Sequence, residues 1–369
     1  MTKKRILFGA VDIGYRIKTY SDFIHANYGQ LAEAESISKY VLPKSHYSTS
    51  YTFEFPINKI SSLKMYWKTF WFFIKALFRY DVFHFLSGET ILTWKLRKTE
   101  LIIYKLFRKK VIMHFVGSDI RSEEYLLSKN NQLKKYLLKD KDLVLPPISN
   151  TKQLKLIEIA LNYSDKIIVS TPDLLKLIPT AIHLPVMLNF DEFYENQINH
   201  FKNDSNSSSK IKILHSPSGF GLKGSEYINL VLDEIQQIYP NQIEILLPGK
   251  DKNDNIYSLS RYELFEKFSL SDIVIDQMLI GWYGLKSIEA LAYGCEVICY
   301  IEKDLEKYLP PQCPIISANI LNLKELIIIS IEKLLKQNNK NQRLQKNKEY
   351  IFKHHDVKAY NNNFKQFWL

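Results

Sequence analysis

The segment that most constrains the fold is residues 272–301, DIVIDQMLIGWYGLKSIEALAYGCEVICYI. Two runs of β-branched residues flank a stretch whose apolar residues recur at helical spacing, which predicts a strand, a helix and a second strand. Gly294 follows the helical stretch and can take the left-handed conformation that ends a helix. We therefore expect one strand–helix–strand unit of a parallel sheet, in which Leu285, Ile288 and Ala292 face the sheet.

Glu289 is the unusual residue of this segment, because it places a carboxylate in a helix that is otherwise apolar. A carboxylate in that setting has either a solvated face of its own or a specific partner, such as a substrate hydroxyl. A turn that contains Gly281 and Gly284 opens the same helix. The residues alone leave both interpretations of Glu289 open.

Small or polar residues follow each predicted strand of the chain. They are Gly14, Ser87, Gly88, those at 117–119, Ser170, Thr171, those at 216–224, Gly249 and those at 281–284. Ligands bind at the carboxyl ends of the strands in doubly wound α/β sheets, so we expect these residues to line a binding site. The 369 residues suffice for two such domains. We predict Rossmann-like, doubly wound parallel-sheet domains at 1–195 and 196–350, whose loops face one central cleft.

The loop at 216–224 has the composition of an anion site. It follows a predicted strand at 211–215 and precedes an amphipathic helix. The apolar side of that helix consists of Ile228, Val231, Leu232 and Ile235. The loop itself contains Gly219, Gly221, Lys223 and Gly224. Backbone amides that no side chain blocks, a positive helix end and one lysine favour anion binding, although a lone lysine in such a loop is more often solvated.

A resemblance to a known family rests on the run GWYGLKSIEALAYGCEVICYI. It is similar to the donor-binding signature of GT-B glycosyltransferases, especially the bacterial polysaccharide enzymes of glycosyltransferase family 4. In that family a glutamate at the place of Glu289 hydrogen-bonds the ribose hydroxyls of the donor. The usual pattern has another glutamate eight positions earlier, where this chain has Gly281. The loop that ends in Lys223 and Gly224 resembles the family loop whose lysine holds the donor diphosphate. Many members add an arginine a few residues before that lysine, and this loop has none.

A second part of the resemblance lies in DVFHF at 81–85 and VIMHFVGSDIR at 111–121. In the amino-terminal domain of these enzymes a histidine and a Gly-Ser-Asp turn lie on the acceptor side. Many relatives have the histidine directly before the glycine, where this chain has Val116, and His114 stands two residues earlier on the same strand face. From the residues alone His114 is more readily a core histidine, and Asp119 a helix cap.

The resemblance implies roles for individual residues. The catalytic residues would be Lys223, Asp119 and His114. The donor contacts would be Glu289, Ser218, Gly219, Gly221, Gly224, Gly249, Gly281, Tyr283, Gly284 and Leu285, and the acceptor side would include Gly14, Gly117 and Ser118. It also implies retention of anomeric configuration and a last helix, at 351–369, that packs back on the first domain. We predict no cofactor and no metal, since the adjacent His354 and His355 have no second ligand cluster at suitable spacing.

The net charge of +11 implies attraction to polyanions. On a helical wheel, residues 60–80 place four cations in one sector, which is flanked by three aromatic residues. The cations are Lys64, Lys68, Lys75 and Arg79, and the aromatics are Trp67, Trp71 and Phe78. This pattern suits either a helix on anionic lipid or an ordinary packed helix with a solvated lysine face.

The remaining features concern compartment. The apolar run near the amino terminus is interrupted by Asp12, and no window approaches the ~18 apolar residues of a membrane span. The three cysteines lie in one carboxyl-terminal region, which fits a reducing compartment. We expect a cytoplasmic protein, at most attached to the inner face of the membrane.

The expected function is transfer of a sugar from a nucleotide-diphosphate donor to a hydroxyl of a glycan or lipid-linked acceptor, in bacterial surface polysaccharide or glycoconjugate synthesis. A GT-B epimerase or phosphorylase is an alternative that lacks a convincing extra acid–base pair. A catalytically weakened carbohydrate-binding partner of a glycosyltransferase complex would account for the missing glutamate and arginine. A nucleic-acid binder would need basic residues interleaved with aromatic residues along a groove. In this chain that pattern is confined to residues 60–80, so we predict no nucleic acid partner.

Overall fold

The structure is a computed structural model that describes residues 3–12, 14, 16–39, 52–54, 63–122, 125–126, 150–191, 193–195, 210–217, 223–246 and 259–369. The described residues form two compact units. The first unit contains those within 1–122, 148–189 and 356–369, and the second contains those within 123–147 and 190–355. Each unit has its own parallel sheet and its own core.

The strands of the described residues are short and mostly buried. They are β1 (Lys4–Gly9), β2 (Ala32–Ser38), β3 (Phe53–Glu54), β4 (Val82–Leu86), β5 (Lys110–Phe115), β6 (Lys166–Val169), β7 (Ile182–His183), β8 (Ile211–Leu214), β9 (Ile243–Leu246), β10 (Ile273–Ile275), β11 (Glu296–Cys299) and β12 (Ile316–Ser317). All residues of β4, β10 and β11 are buried. Burial of successive residues shows that both faces of each sheet are covered, as expected for parallel sheets.

Helices of the described residues follow most strands. They are α1 (Arg16–Tyr28), α2 (Leu63–Arg79), α3 (Arg97–Leu106), α4 (Asn150–Tyr163), α5 (Ser225–Ile238), α6 (Arg261–Leu270), α7 (Leu285–Ala292), α8 (Leu323–Lys336), α9 (Lys340–His354) and α10 (Asn361–Trp368). Short 3₁₀ helices lie at Pro172–Lys176, Lys303–Tyr308 and Val357–Tyr360. None of the helices described is both long and apolar enough to cross a membrane.

Both sheets reverse their strand order once among the described strands. The order in the first unit is β3-β2-β1-β4-β5-β6-β7, so the chain returns to the other side of β1 when it forms β4. The order in the second unit is β12-β11-β10-β8-β9, so β10 lies on the other side of β8 from β9. All described pairs are parallel. Ligands of such sheets bind beyond the carboxyl ends of the strands at the reversal, which points to the loops after β8 and β10.

The sequence predicted the α/β class and much of the second unit, and the structure confirms both. The four residues assigned to the apolar side of α5 are all buried. The strand–helix–strand unit at 272–301 appears as β10, α7 and β11. Gly294 ends α7 with φ +78°, and a Cβ there would come within 3.1 Å of the Lys340 carbonyl oxygen. Of the residues expected to face the sheet, Ile288 and Ala292 are buried and Leu285 is half-buried.

The carboxyl-terminal helix α10 packs in the core of the first unit. Its Phe364, Phe367 and Trp368 have no exposed surface. The Trp368 ring lies edge-on to Phe8, with the ring centroids 5.0 Å apart. Its indole Nε1 donates a hydrogen bond to His84 Nδ1 at 2.9 Å. The last residue but one of the chain therefore combines apolar burial with a buried polar contact.

Replacement of Trp368 tests how much this helix stabilises the first unit. We expect Trp368→Ala to lower the free energy of unfolding by about 3–5 kcal/mol, because it removes a fully buried aromatic ring and leaves a cavity. Trp368→Phe should cost less, since it keeps most of the ring and loses the hydrogen bond to His84. Urea denaturation midpoints would measure the order, with the exposed Gln366→Ala as the matched control. A Trp368→Ala midpoint equal to that control would contradict this account of α10.

Candidate functional site

The loops after β8 and β10 meet through an ion pair. The Lys223 ammonium donates a hydrogen bond to Asp276 Oδ1 at 2.6 Å. The two backbones also join, because Met278 N donates to the Lys223 carbonyl oxygen at 3.0 Å. Gly224 takes φ +71° before α5, and a Cβ at this position would lie 3.1 Å from Leu279 Cγ. The predicted anion-binding lysine is thus fixed at the point where the sheet reverses its strand order.

Asp276 is a site residue that sequence analysis missed. Its carboxylate is 4% exposed and accepts hydrogen bonds from Ser287 Oγ at 2.7 Å and from Gly284 N at 3.4 Å. Burial alone would raise its pKa, but Lys223 and the Ser287 hydroxyl outweigh burial and lower the pKa to about 2. Asp276 therefore stays ionised at neutral pH at the amino terminus of α7, where a helix favours negative charge. The available signal was an aspartate directly after a buried strand.

Lys286 brings a second cation to the same place. It lies in the first turn of α7, and its ammonium donates a hydrogen bond to the Ser216 carbonyl oxygen after β8. Burial lowers the pKa of Lys286 to about 8; the nearby Asp276 carboxylate opposes this change and Lys223 adds to it. Lys223, Asp276 and Lys286 form what we call the lysine–aspartate cluster. No feature of the sequence distinguishes Lys286 from the other lysines of the chain.

A buried glutamine fixes the shape of the turn that precedes α7. Gln277 has no exposed surface, and its Nε2 donates to the Trp282 carbonyl oxygen at 2.8 Å. Its Oε1 accepts from Leu279 N at 2.9 Å and from Ile280 N at 2.6 Å. One side chain thus satisfies three backbone groups of the turn, which would otherwise be buried without partners. The turn before α7 is therefore held in place by a side chain buried in the second unit.

Of the predicted donor-contact residues in this turn, Gly284 contacts the cluster through its N–H group, which donates to Asp276. Gly281 has φ +89°, a left-handed conformation that favours glycine. Gly284 is the N-cap of α7, and Leu285 is its first residue. Tyr283 is buried, and its hydroxyl lies 3.3 Å from His355 Nε2. Four other predicted donor contacts lie outside the described residues, namely Ser218, Gly219, Gly221 and Gly249.

Glu289 has a specific partner. It lies one turn after Leu285 in α7, is 1% exposed, and forms an ion pair with Arg261, the first residue of α6. Burial raises the pKa of Glu289, and the Arg261 charge opposes that change. A capping box fixes the start of α6, in which Ser260 N donates to Glu263 Oε2 at 2.7 Å. Of the two interpretations left open by the sequence, the structure therefore favours a partnered carboxylate.

Asp119 closes the turn after β5. Its carboxylate accepts hydrogen bonds from the backbone N–H groups of Val116 and Gly117, both at 2.8 Å, and of Ile120 at 3.0 Å. Burial raises the pKa of Asp119, and these three donors oppose the change. Gly117 is buried and Ser118 is exposed. The described residues start no α-helix directly after Asp119, so its contacts are those of a turn.

Two further contacts hold the same turn in place. Gln153 Nε2, on α4, donates to the Ser118 carbonyl oxygen at 3.0 Å. Arg121 makes a two-pronged ion pair with the buried Asp173, with Nε to Oδ2 at 2.7 Å and Nη2 to Oδ1 at 3.0 Å. Sequence analysis missed Arg121, Gln153 and Asp173, whose partners are more than thirty positions away in the chain. The predicted acceptor-side turn is therefore rigidly supported.

His114 is a buried member of a hydrogen-bonded chain. It has no exposed surface, its Nδ1 lies 3.2 Å from His84 Nε2, and its Nε2 lies 2.9 Å from Ser170 Oγ. An indole only donates, so Trp368 makes His84 Nδ1 the acceptor, His84 Nε2–H the donor to His114, and His114 Nε2–H the donor to Ser170. Burial lowers the pKa of His84 to about 3 and that of His114 well below its usual range. A catalytic role for His114 stays a prediction, and these are the contacts of a neutral core histidine.

Arg16 lies at the end of this hydrogen-bonded chain, at the carboxyl edge of the first sheet. Its Nη1 donates to Ser170 Oγ at 2.5 Å, and the side chain is 4% exposed. Burial lowers the pKa of Arg16, and the nearby carboxylates of Asp12 and Asp119 oppose that change. Gly14, with φ +71°, precedes it in the turn between β1 and α1. Three predicted residues, His114, Asp119 and Gly14, thus lie near Arg16, a buried arginine that the sequence did not single out.

Metal ligation has no candidate in the part of the chain that the structure describes, since no group of three or more His, Cys, Asp or Glu side chains is arranged to hold an ion.

No protein-family model and no curated protein sequence matches the chain. Solved structures do match over its whole length. Sucrose-phosphate synthase from Thermosynechococcus elongatus is 14% identical, with a TM-score of 0.60, and the match covers 99% of this chain and 98% of that one. HepE from Anabaena in complex with UDP and glucose is 12% identical, with a TM-score of 0.60 and 99% of both chains covered. HepE with UDP-glucose is 13% identical, with a TM-score of 0.56 and 98% of both chains covered.

These likenesses show a shared fold. The solved structures are GT-B glycosyltransferases, and the GT-B fold predicted from the sequence is confirmed. Assignment to glycosyltransferase family 4 stays a prediction, since the identities are too low to carry it.

Proposed function

We propose that this protein is a glycosyltransferase that moves a sugar from a nucleoside diphosphate to a hydroxyl of a glycan or lipid-linked acceptor. One observation carries the proposal: a lysine held by a buried carboxylate, between two helix amino termini, at the reversal point of the second sheet. A partnered glutamate lies on the same helix α7. The GT-B fold supports the same conclusion, because its whole-length structural neighbours are glycosyltransferases.

The donor diphosphate would bind at the amino termini of α5 and α7, with Lys223 neutralising the charge that develops as it leaves. Preorganised charges and dipoles in a site shielded from water are the main source of rate enhancement in such chemistry. Glu289, oriented by Arg261, would accept hydrogen bonds from the nucleoside sugar. This mechanism uses side chains and helix dipoles in place of a metal or cofactor, and retention of configuration follows from the resemblance to family 4. UDP is the first candidate nucleotide, since the HepE structures contain UDP and UDP-glucose.

Nucleotide binding by wild type and two variants tests this proposal. Among UDP, GDP, CDP and ADP, we expect one to bind, and Lys223→Ala to weaken it about tenfold to hundredfold through loss of a charge-assisted hydrogen bond. Glu289→Gln should weaken it less, because the amide keeps the shape and one acceptor. The exposed Lys303→Ala, in the same unit, is the matched control. Calorimetric titration would give the affinities, and release of the nucleoside diphosphate from its sugar would show turnover.

Two outcomes would count against the proposal. Absence of binding by all four nucleotides would remove the donor site. Binding without turnover across a pool of glycan and lipid-linked acceptors would favour the weakened carbohydrate-binding partner, for which Gly281 in place of a glutamate is the motivating feature.

A membrane-surface role is the second part of the proposal, in bacterial surface polysaccharide or glycoconjugate synthesis. Apolar side chains of α2 and the end of α3 form an exposed surface, which we call the aromatic surface. It consists of Tyr66, Trp67, Phe70, Trp71, Phe78, Leu106 and Phe107, each 42–74% exposed. Its two parts adjoin, because the rings of Phe78 and Phe107 are 5.7 Å apart.

The positive charge around the aromatic surface indicates an anionic partner. Exposed cations accompany this surface on α2, at the end of α3 and just after it, namely Lys68, Lys75, Lys105 and Arg108. Arg79, which the sequence placed in the same sector, forms an ion pair with Glu35. The opposite side of α2 is packed in the core through Phe73, Ala76 and Leu77. A helix with a buried face and an outer face of tryptophans and lysines fits a surface of anionic lipid headgroups. Lys64, which the sequence placed in the same sector, has a side chain outside the described residues.

Vesicle sedimentation tests this surface. We expect the protein to bind phosphatidylglycerol vesicles more tightly than phosphatidylcholine vesicles, and high salt to release it. Lys68→Gln with Lys75→Gln should weaken binding about tenfold or more, at ~1 kcal/mol per cation. Trp67→Ser with Trp71→Ser should weaken it through lost apolar contact. Leu230→Ser with Ile238→Ser, exposed apolar residues of the second unit, is the control. Equal binding by all variants would remove the proposed surface.

A further inference from the structure

The charge balance of the lysine–aspartate cluster depends on Lys286. Lys223 and Asp276 form an ion pair at 2.6 Å and together carry no net charge. A neutral pair has little electrostatic attraction for a polyanion. Lys286 is the cluster's third charged group, and it makes the net charge positive. Without Lys286, the site that the proposed function assigns to a diphosphate would lack a surplus positive charge.

The hydrogen-bonding capacity of the two lysines points the same way. An ammonium has three donors. In the contacts made by the described residues, Lys223 uses one donor on Asp276 and Lys286 uses one on the Ser216 carbonyl oxygen. Asp276 Oδ2 is engaged separately by Ser287 Oγ. Both ammonium groups are thus oriented by one fixed acceptor each and retain donors for a ligand.

We propose that Lys286 is a second cation for the donor diphosphate and that Asp276 positions Lys223 for the same ligand. This inference rests on the proposed function, because it takes the ligand to be a nucleoside diphosphate. The two lysines come from different elements, one before α5 and the other inside α7, so one diphosphate would bind across the two helix amino termini. Arginine or lysine pairs on phosphates give stronger binding than one charge, since each contributes charge-assisted hydrogen bonds.

Proton uptake when a diphosphate binds is a second consequence of the proposed role of Lys286. The charged and titratable groups around the Lys286 ammonium are Asp276 after β10, Lys223 before α5, Glu289 on its own helix and His215 after β8. Burial lowers the pKa of Lys286 to about 8 in the free protein. An anion beside the ammonium raises that pKa, so binding at a pH above 8 takes up protons, and affinity falls as pH rises from the free towards the bound pKa. The terminal phosphate of UDP is already ionised there and does not obscure the effect.

The experiment is calorimetric titration with UDP, just above pH 8, in two buffers of different ionisation enthalpy, and with inorganic pyrophosphate in one buffer for its affinity alone, because pyrophosphate itself titrates near this pH. The proteins are wild type, Lys286→Met, Lys286→Arg and the exposed control Lys303→Met. We expect Lys286→Met to weaken both ligands about tenfold to hundredfold and to abolish the buffer-dependent heat of UDP binding. Lys286→Arg should keep more of the affinity but show no proton uptake, because a guanidinium does not titrate. A structural effect alone would not separate the Arg and Met variants in this way.

Three results would overturn the inference. Equal UDP affinity in wild type and Lys286→Met would do so while leaving the proposed function standing. Proton uptake that persists in Lys286→Met would assign the titration to another group. Failure of wild type to bind any nucleoside diphosphate would overturn the proposed function and this inference together. The buffer comparison on wild type needs no variant, so a folding defect in Lys286→Met would not prevent the test.

Discussion

The buried ion pair between Lys223 and Asp276 is the interaction on which the second unit's loops depend. Taking two charges out of water costs several kcal/mol, and apolar side chains of similar size often stabilise a fold as well or better. The pair therefore gives little net stability, yet it joins the loop before α5 to the loop after β10. Ser287 and Gly284 satisfy the second carboxylate oxygen, so Asp276 also holds the start of α7. A costly charge pair at a strand-order reversal is more readily explained by ligand binding than by folding.

The first unit follows the same plan with different side chains. Its carboxyl edge carries Arg16, and a buried hydrogen-bonded chain of Trp368, His84, His114 and Ser170 runs through the strands to that arginine. The direction of every bond in this chain follows from the indole, which donates only. The carboxyl-terminal helix thereby contributes to the order of the sheet edge as well as to the apolar core.

Local sequence patterns predicted what local physics decides. The apolar spacing of Ile228, Val231, Leu232 and Ile235 gave the buried side of α5, and Gly294 gave the end of α7. Lys223 was predicted to lie directly before a helix, and α5 begins two residues after it. Partners distant in the chain were beyond this reasoning. Asp276 is 53 positions from Lys223, Arg261 is 28 positions from Glu289, and Trp368 is 284 positions from His84. Such pairs depend on strand order, which periodicity does not reveal.

A crystal structure of the protein with UDP would show whether a diphosphate binds at the reversal point of the second sheet. We expect phosphate oxygens within about 3 Å of the Lys223 and Lys286 ammonium nitrogens, with the ribose within reach of Glu289. UDP bound elsewhere, with the lysine–aspartate cluster unchanged and its phosphates distant from both lysines, would contradict this expectation.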